Sequence, residues 1–98
     1  MALQKIIQHQ TGAYSEYWRV ISVDLNYFDN TAKIIIYGYY NEYCRRDNKI
    51  NLDLREFIVN DGFDIYFSIE NLSQNTNPLQ QSYLYIKTNE EFFNSIDI

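Results

Sequence analysis

Cys44 and His9 are the only thiol and the only imidazole in this sequence. Nucleophilic catalysis needs such a pair in hydrogen-bond reach, and nothing around either residue draws them together. Cys44 reads as a semi-buried small residue or a surface thiol. His9, between Gln8 and Gln10, reads as a polar strand end. A single Cys excludes an internal disulfide, and one Cys with one His excludes most zinc sites. Asp61, Asp64 and Glu70 cluster, as do Glu90 and Glu91. Paired carboxylates can perform acid–base chemistry or hold a cation. Acidic groups are also favoured at helix starts by the helix dipole, and that structural reading prevails here. Gly12, Gly38 and Gly62 are too scattered to cradle a phosphate. Asn71-Leu72-Ser73 matches a glycosylation sequon, which reads as chance because the N-terminus shows no signal-peptide pattern. The expectation is a non-enzymatic protein with no catalytic residue, metal ligand or cofactor.

Two groups of residues point to binding instead. Arg45, Arg46 and Lys49 follow Tyr39, Tyr40 and Tyr43, and aromatics interleaved with cations can hold single-stranded nucleic acid. Glu42 and Asp47 interrupt the group, so a solvated turn or a salt-bridged partner contact is the better reading. The tyrosines carry the stronger hint. Trp18, Val20, Ile35, Tyr37, Tyr39 and Tyr40 form the candidate protein interface. Tyr and Trp join large contact area to a polar tip, which suits protein–protein contact. The alternative is that C-terminal helices cover this face and make it a second core.

The elements that must position these side chains begin with a long hairpin. Residues 17–28 and 31–40 are rich in β-branched and aromatic types. Asp29-Asn30 between them suits a two-residue turn. If that turn pairs Phe28 with Thr31, then Leu25 faces Ile34, Val23 faces Ile36 and Ile21 faces Gly38 on the core side. Asn26 with Lys33, Asp24 with Ile35, Ser22 with Tyr37 and Val20 with Tyr39 would lie on the other. A one-residue slip would turn Asp24 and Lys33 inward, which is costly.

A third strand is expected over Leu52–Val59, with Ile50, Leu52 and Leu54 inward by alternation. Leu3–Gln10 is a weaker strand candidate at an edge. Tyr40–Arg46 could instead be a helical turn. The period then changes, and Phe63, Tyr66, Phe67 and Glu70 trace one face of a helix over 63–72. Asn77-Pro78 supplies an N-cap and a first-turn proline for an amphipathic helix through Leu79, Tyr83 and Ile86, ending near Lys87. Thr88 and Glu91 are spaced as a capping box for a final turn bearing Phe92 and Phe93. The fold class is α+β: a small antiparallel sheet built on a long hairpin, packed by one or two short C-terminal helices.

Composition agrees with a single domain over residues 1–98. Hydrophobic residues are 46% and charged residues 21%, in the range of folded chains. Aromatics reach 17%, with ten Tyr and six Phe. A net charge of −5 argues against a general nucleic-acid binder. No apolar run approaches the ~20 residues of a membrane span.

Three segments carry a resemblance: Glu16-Tyr17-Trp18-Arg19-Val20, Tyr37-Gly38-Tyr39, and Tyr83-Leu84-Tyr85-Ile86-Lys87-Thr88 followed by Glu91-Phe92. The chain resembles small uncharacterised proteins encoded by bacteriophages and prophages, often among virion or tail genes. In those relatives a YWRI strand opens a hairpin, and a YLKT helix with an acidic–aromatic pair closes the chain. Asn94-Ser95 departs from the small residues usual there. The resemblance implies a structural or accessory protein of a head, neck or tail assembly, located in the virion or host cytoplasm. Its partners would be other virion proteins and copies of itself, met through hairpin edges and the Tyr-rich face. The alternative is a soluble phage-encoded regulatory or inhibitory protein absent from particles.

Overall fold

A computed structural model describes residues 2–8, 12–41, 53–74 and 76–98. His9, Cys44, the Arg45/Arg46/Lys49 cluster, Ile50 and Leu52 lie outside them. Five strands form one antiparallel sheet in the order β4-β3-β2-β1-β5. They are β1 (Leu3–Gln8), β2 (Tyr14–Asn26), β3 (Thr31–Tyr39), β4 (Asp53–Val59) and β5 (Ile96–Asp97). Three α-helices, α1 (Phe63–Tyr66), α2 (Ile69–Leu72) and α3 (Pro78–Ile86), and a 3₁₀ turn (Glu90–Phe92) fall between β4 and β5. The α+β class holds. β1 lies toward one edge of the sheet, its outer side met by β5 at Leu3 and Gln4.

The hairpin of β2 and β3 is the spine, but its register differs from the expected one. Asn26 pairs with Thr31, Leu25 with Ala32 and Val23 with Ile34. The connection is therefore the four residues Tyr27–Asn30, not Asp29-Asn30 alone. Asn26 sets this: its Oδ1 accepts the N–H groups of Phe28 and Asp29, at 3.0 and 3.1 Å. Asn30 closes the loop at φ 54°, a left-handed conformation that Asn tolerates. The change is two residues, an even number, so Val23, Leu25, Ile34 and Ile36 keep the core face expected of them.

A β-bulge then overturns half of the expected faces. Val20 pairs with Ile36 and Ser22 with Ile35, leaving Ile21 as the extra residue. Alternation along β2 changes phase across it. Trp18 and Val20 turn into the core, at 1% and 5% exposure, while Ile21, expected inside, is exposed. The Val20 N–H beside the bulge donates to the Tyr83 hydroxyl on α3, at 2.9 Å.

β4 is also inverted relative to expectation. Phe57 and Val59 face the helices, and Leu54 faces out at 50% exposure. Phe57 meets Phe92 and Tyr85 edge to face, with centroids 6.0 and 6.5 Å apart, and that aromatic contact fixes the strand's facing.

The expected helix over 63–72 is broken at Phe67-Ser68. Ser68 caps α2 by accepting the Asn71 N–H. Phe63 and Phe67, four residues apart, still enter the core together. α3 starts where its signals place it, with Asn77 accepting from Gln80 and Pro78 in the first turn. Tyr83 and Ile86 are buried, but Leu79 is not. Asn89, not Thr88, caps the last turn, and it buries Phe92 while Phe93 stays exposed.

Trp18 lies at the centre of the helix-facing side. Its indole N–H donates to the Lys5 carbonyl at 2.9 Å. Phe92 meets its ring edge-on at 5.0 Å, and the Arg55 guanidinium sits 5.9 Å from the ring centroid. Arg55 is held in turn by Asp53 and Glu91. Burial depresses its pKa, but those hydrogen bonds outweigh burial and raise it. A Cβ at Gly38, the cross-strand partner of Trp18, would lie 2.7 Å from the indole. Gly38→Ala should therefore cost about 1–3 kcal/mol by overpacking. In a Trp18→Leu background the same change should cost much less, because the two residues share one space. Chemical denaturation of the four proteins of this cycle checks it, and equal costs in both backgrounds would refute the contact.

Candidate interaction surface

Among the described residues, the strands and helices leave the sheet with two unlike faces. The described helices and the 3₁₀ turn send Phe63, Phe67, Tyr83, Ile86 and Phe92 into one core with the strands' inward residues. Cross-strand pairing places the remaining side chains in rows on the other face: Asp24, Lys33 and Ile58; Ser22, Ile35 and Glu56; Arg19, Tyr37 and Leu54; Tyr17 and Tyr39.

The six candidate interface residues divide three ways. Ile35, Tyr37 and Tyr39 lie together on this second face, in adjacent rows of β3. Tyr39 is only 9% exposed, with the Tyr17 ring edge-on at 6.3 Å. Trp18 and Val20 do not belong to the surface. The bulge at Ile21 carries both into the core, and neither has area to offer a partner. Tyr40, just past β3, turns to Tyr14 instead. Their rings lie 5.1 Å apart and the Tyr14 hydroxyl donates to the Tyr40 hydroxyl at 3.1 Å. The described helices do not make a second core of the tyrosine face, since they cover the other side of the sheet.

Sequence reasoning missed Tyr17, Leu54 and Ile58 as members of this face. β4 is apolar in both phases, Leu54 with Ile58 and Phe57 with Val59, so its alternation is ambiguous. The bulge left a readable trace. Trp18, Val20, Val23 and Leu25 step by two, three and two, and the step of three marks the phase change.

The face mixes apolar area with balanced charge. Leu54 and Ile58 are half exposed. Arg19 and Lys33 are matched by Asp24 and Glu56. Lys33 and Glu56 approach to 3.6 Å with both side chains 45% exposed, an ion pair worth little in water.

Other places offer less. Among the described residues no group of three or more His, Cys, Asp or Glu side chains could hold a metal ion, and no helix is long and apolar enough to cross a membrane. An open depression of about 300 Å³ is lined by Gln4, Lys5, Ile6, Glu16, Asn94 and Ile96. Its polar groups serve the fold: Gln4 donates to Glu16, and Lys5 to the Phe93 carbonyl. No protein-family model matches the chain, and no curated protein or solved structure matches it at a significant level.

The Tyr14–Tyr40 pair yields a pH prediction. The hydrogen bond to Tyr40 holds the Tyr14 proton and raises its pKa above 10.0, with burial and the charges of Tyr40 and Glu16 adding to the shift. A group whose folded pKa is raised supports the fold below its unfolded pKa, and that support is lost as pH rises through the folded value. Tyr14 should thus ionise later than a free tyrosine. In Tyr40→Phe its titration, followed by tyrosinate absorbance or by Tyr14 ring carbon shifts, should move to lower pH. An unchanged titration would refute the hydrogen bond as the cause.

Proposed function

We propose that this chain acts without catalysis, as a small protein that binds other proteins through the open face of its sheet during assembly of a phage-like particle. The observation that carries the reading is the second face itself. Ile35, Tyr37, Leu54 and Ile58 form adjoining apolar area on a sheet whose opposite side already holds the core. Such a surface suits a protein neighbour, with Tyr37 as an amphipathic anchor. The phage context is supported by the resemblance of the three segments spanning Glu16–Val20, Tyr37–Tyr39 and Tyr83–Phe92.

Contact through the face is favoured over strand addition at the hairpin. β2 and β3 are both interior strands, flanked by β1 and β4. The edge next to the hairpin is β4, where Asp53, Arg55 and Glu56 stand, and charged edges discourage pairing with another strand.

The test is quantitative mass spectrometry of purified particles from the source lysate, comparing wild type with the double variant Tyr37→Ser/Leu54→Ser. The wild-type chain should be present at a fixed copy number relative to the major capsid protein. The variant should fold with a similar melting temperature yet be depleted from particles by about tenfold or more, the effect of losing a central anchor. Equal incorporation of the variant would refute the face as the contact. A chain abundant in the lysate but missing from particles would refute the structural role and leave a soluble regulatory protein.

A further inference from the structure

The open face has a property that apolar area alone does not supply. Among the described residues of β2, β3 and β4, its charges cancel: Arg19 and Lys33 are balanced by Asp24 and Glu56. The next row toward the hairpin turn, Asn26 with Thr31, adds no charge. The chain as a whole carries −5, so the entire excess lies elsewhere. A partner charged with one sign gains nothing from such a face. Two copies of the chain repel one another through an acidic surface, and this face is a place where they need not.

The order of those charges matters as much as their balance. Across β2 and β3, Asp24 stands opposite Lys33, Arg19 opposite Tyr37, and Tyr17 opposite Tyr39. A two-fold axis that runs along the seam of β2 and β3, midway between two facing sheets, lays β2 of each copy over β3 of the other. Every cross-strand neighbour on this face then becomes a neighbour across the interface as well, because a two-fold contact is self-complementary. Asp24 meets the partner's Lys33, and symmetry makes that contact twice. Arg19 covers the partner's Tyr37, where a guanidinium can stack on the aromatic ring. Ile35 and Tyr37 are enclosed along the seam, with Glu56 and Leu54 beside them on β4. Facing sheets pack about 10 Å apart with their strands within about 30° of each other, which keeps these pairs in reach.

An unrelated protein can offer apolar area to this face. The chain's own symmetry is what places opposite charge at both Asp24 and Lys33. We infer that the open face binds a second copy of this chain, sheet against sheet, about a two-fold axis along the β2–β3 seam. The inference rests on the reading of this face as a protein contact and names its partner. The helices lie on the two outer sides of the dimer.

Sedimentation velocity on the full-length protein tests it, with Asp24→Lys, Lys33→Asp and their equimolar mixture beside wild type. Wild type should dimerise as concentration rises, and the amides of Ser22, Ile35, Tyr37 and Leu54 should shift as it does. Each reversal sets like charges face to face twice, so each should weaken the dimer by about tenfold or more. Mixing the two variants should restore it as a heterodimer. There each introduced lysine faces an introduced aspartate, and the native Lys33 of one chain faces the native Asp24 of the other. That recovery separates a contact between copies from damage to the fold, which mixing does not repair. A wild type that stays monomeric up to about 1 mM would overturn the inference. So would a dimer indifferent to both reversals, a mixture no tighter than its components, or shifts confined to the outer edge of β4. The proposed function fails by a different result. Loss of Tyr37→Ser/Leu54→Ser from particles beside a monomeric wild type would keep the contact face and assign it to another protein. A wild-type dimer beside full incorporation of that variant would keep the dimer and remove the face from particle assembly.

Discussion

Trp18 lies against Gly38 across the two central strands, and most of the molecule is arranged around that contact. The indole occupies the space a side chain at position 38 would need. Its ring N–H is satisfied by the Lys5 carbonyl on β1, so the group buries its polar atom without penalty. Phe92 closes over it from the 3₁₀ turn, and Arg55 approaches from β4. One side chain on β2 thereby joins β1, β3, β4 and the C-terminal turn. Protein interiors are packed densely enough that such a contact fixes its neighbours.

Trp18 faces inward only because of the bulge at Ile21. Without the extra residue, the alternation set by Val23 and Leu25 would place Trp18 and Val20 on the opposite side. The bulge lets all four face the helices. It is coupled to the helical layer, because the buried Val20 N–H next to it is bonded to Tyr83 on α3. That pairing avoids the cost of a buried unsatisfied donor and sets the height of α3 over the sheet.

With the helices committed to the Trp18 side, the rest follows by exclusion. Tyr17, Tyr37, Leu54 and Ile58 are left on a face that the described helices do not cover. Tyr27 is drawn down onto Phe63 and Phe67, and Phe28, next in the chain, points away from them. The proposed contact face is thus a consequence of how the core is closed. The abundant tyrosines serve both ends: Tyr83 supports the bulge from inside, while Tyr37 stands on the open face.

Local signals settled much of this protein in the sequence itself. β-Branched and aromatic runs marked β2 and β3, because those residue types suit a pleated, half-buried surface. Asn77-Pro78 marked the start of α3, because its cap and first turn are made within four residues. The core faces of β3 and of the far half of β2 survived a wrong turn length, since the error was an even number of residues. Tertiary packing decided what local chemistry leaves open. β4 is apolar in both phases, and only the contacts of Phe57 with Phe92 and Tyr85 choose between them. Phe67-Ser68 breaks a run whose periodicity reads as one helix. Trp18 and Val20 looked like surface partners of Tyr37 and Tyr39 until the bulge turned them inward. Alternation says that two sets of residues lie on opposite faces. It cannot say which face the helices will cover, because that depends on contacts between residues far apart in the chain.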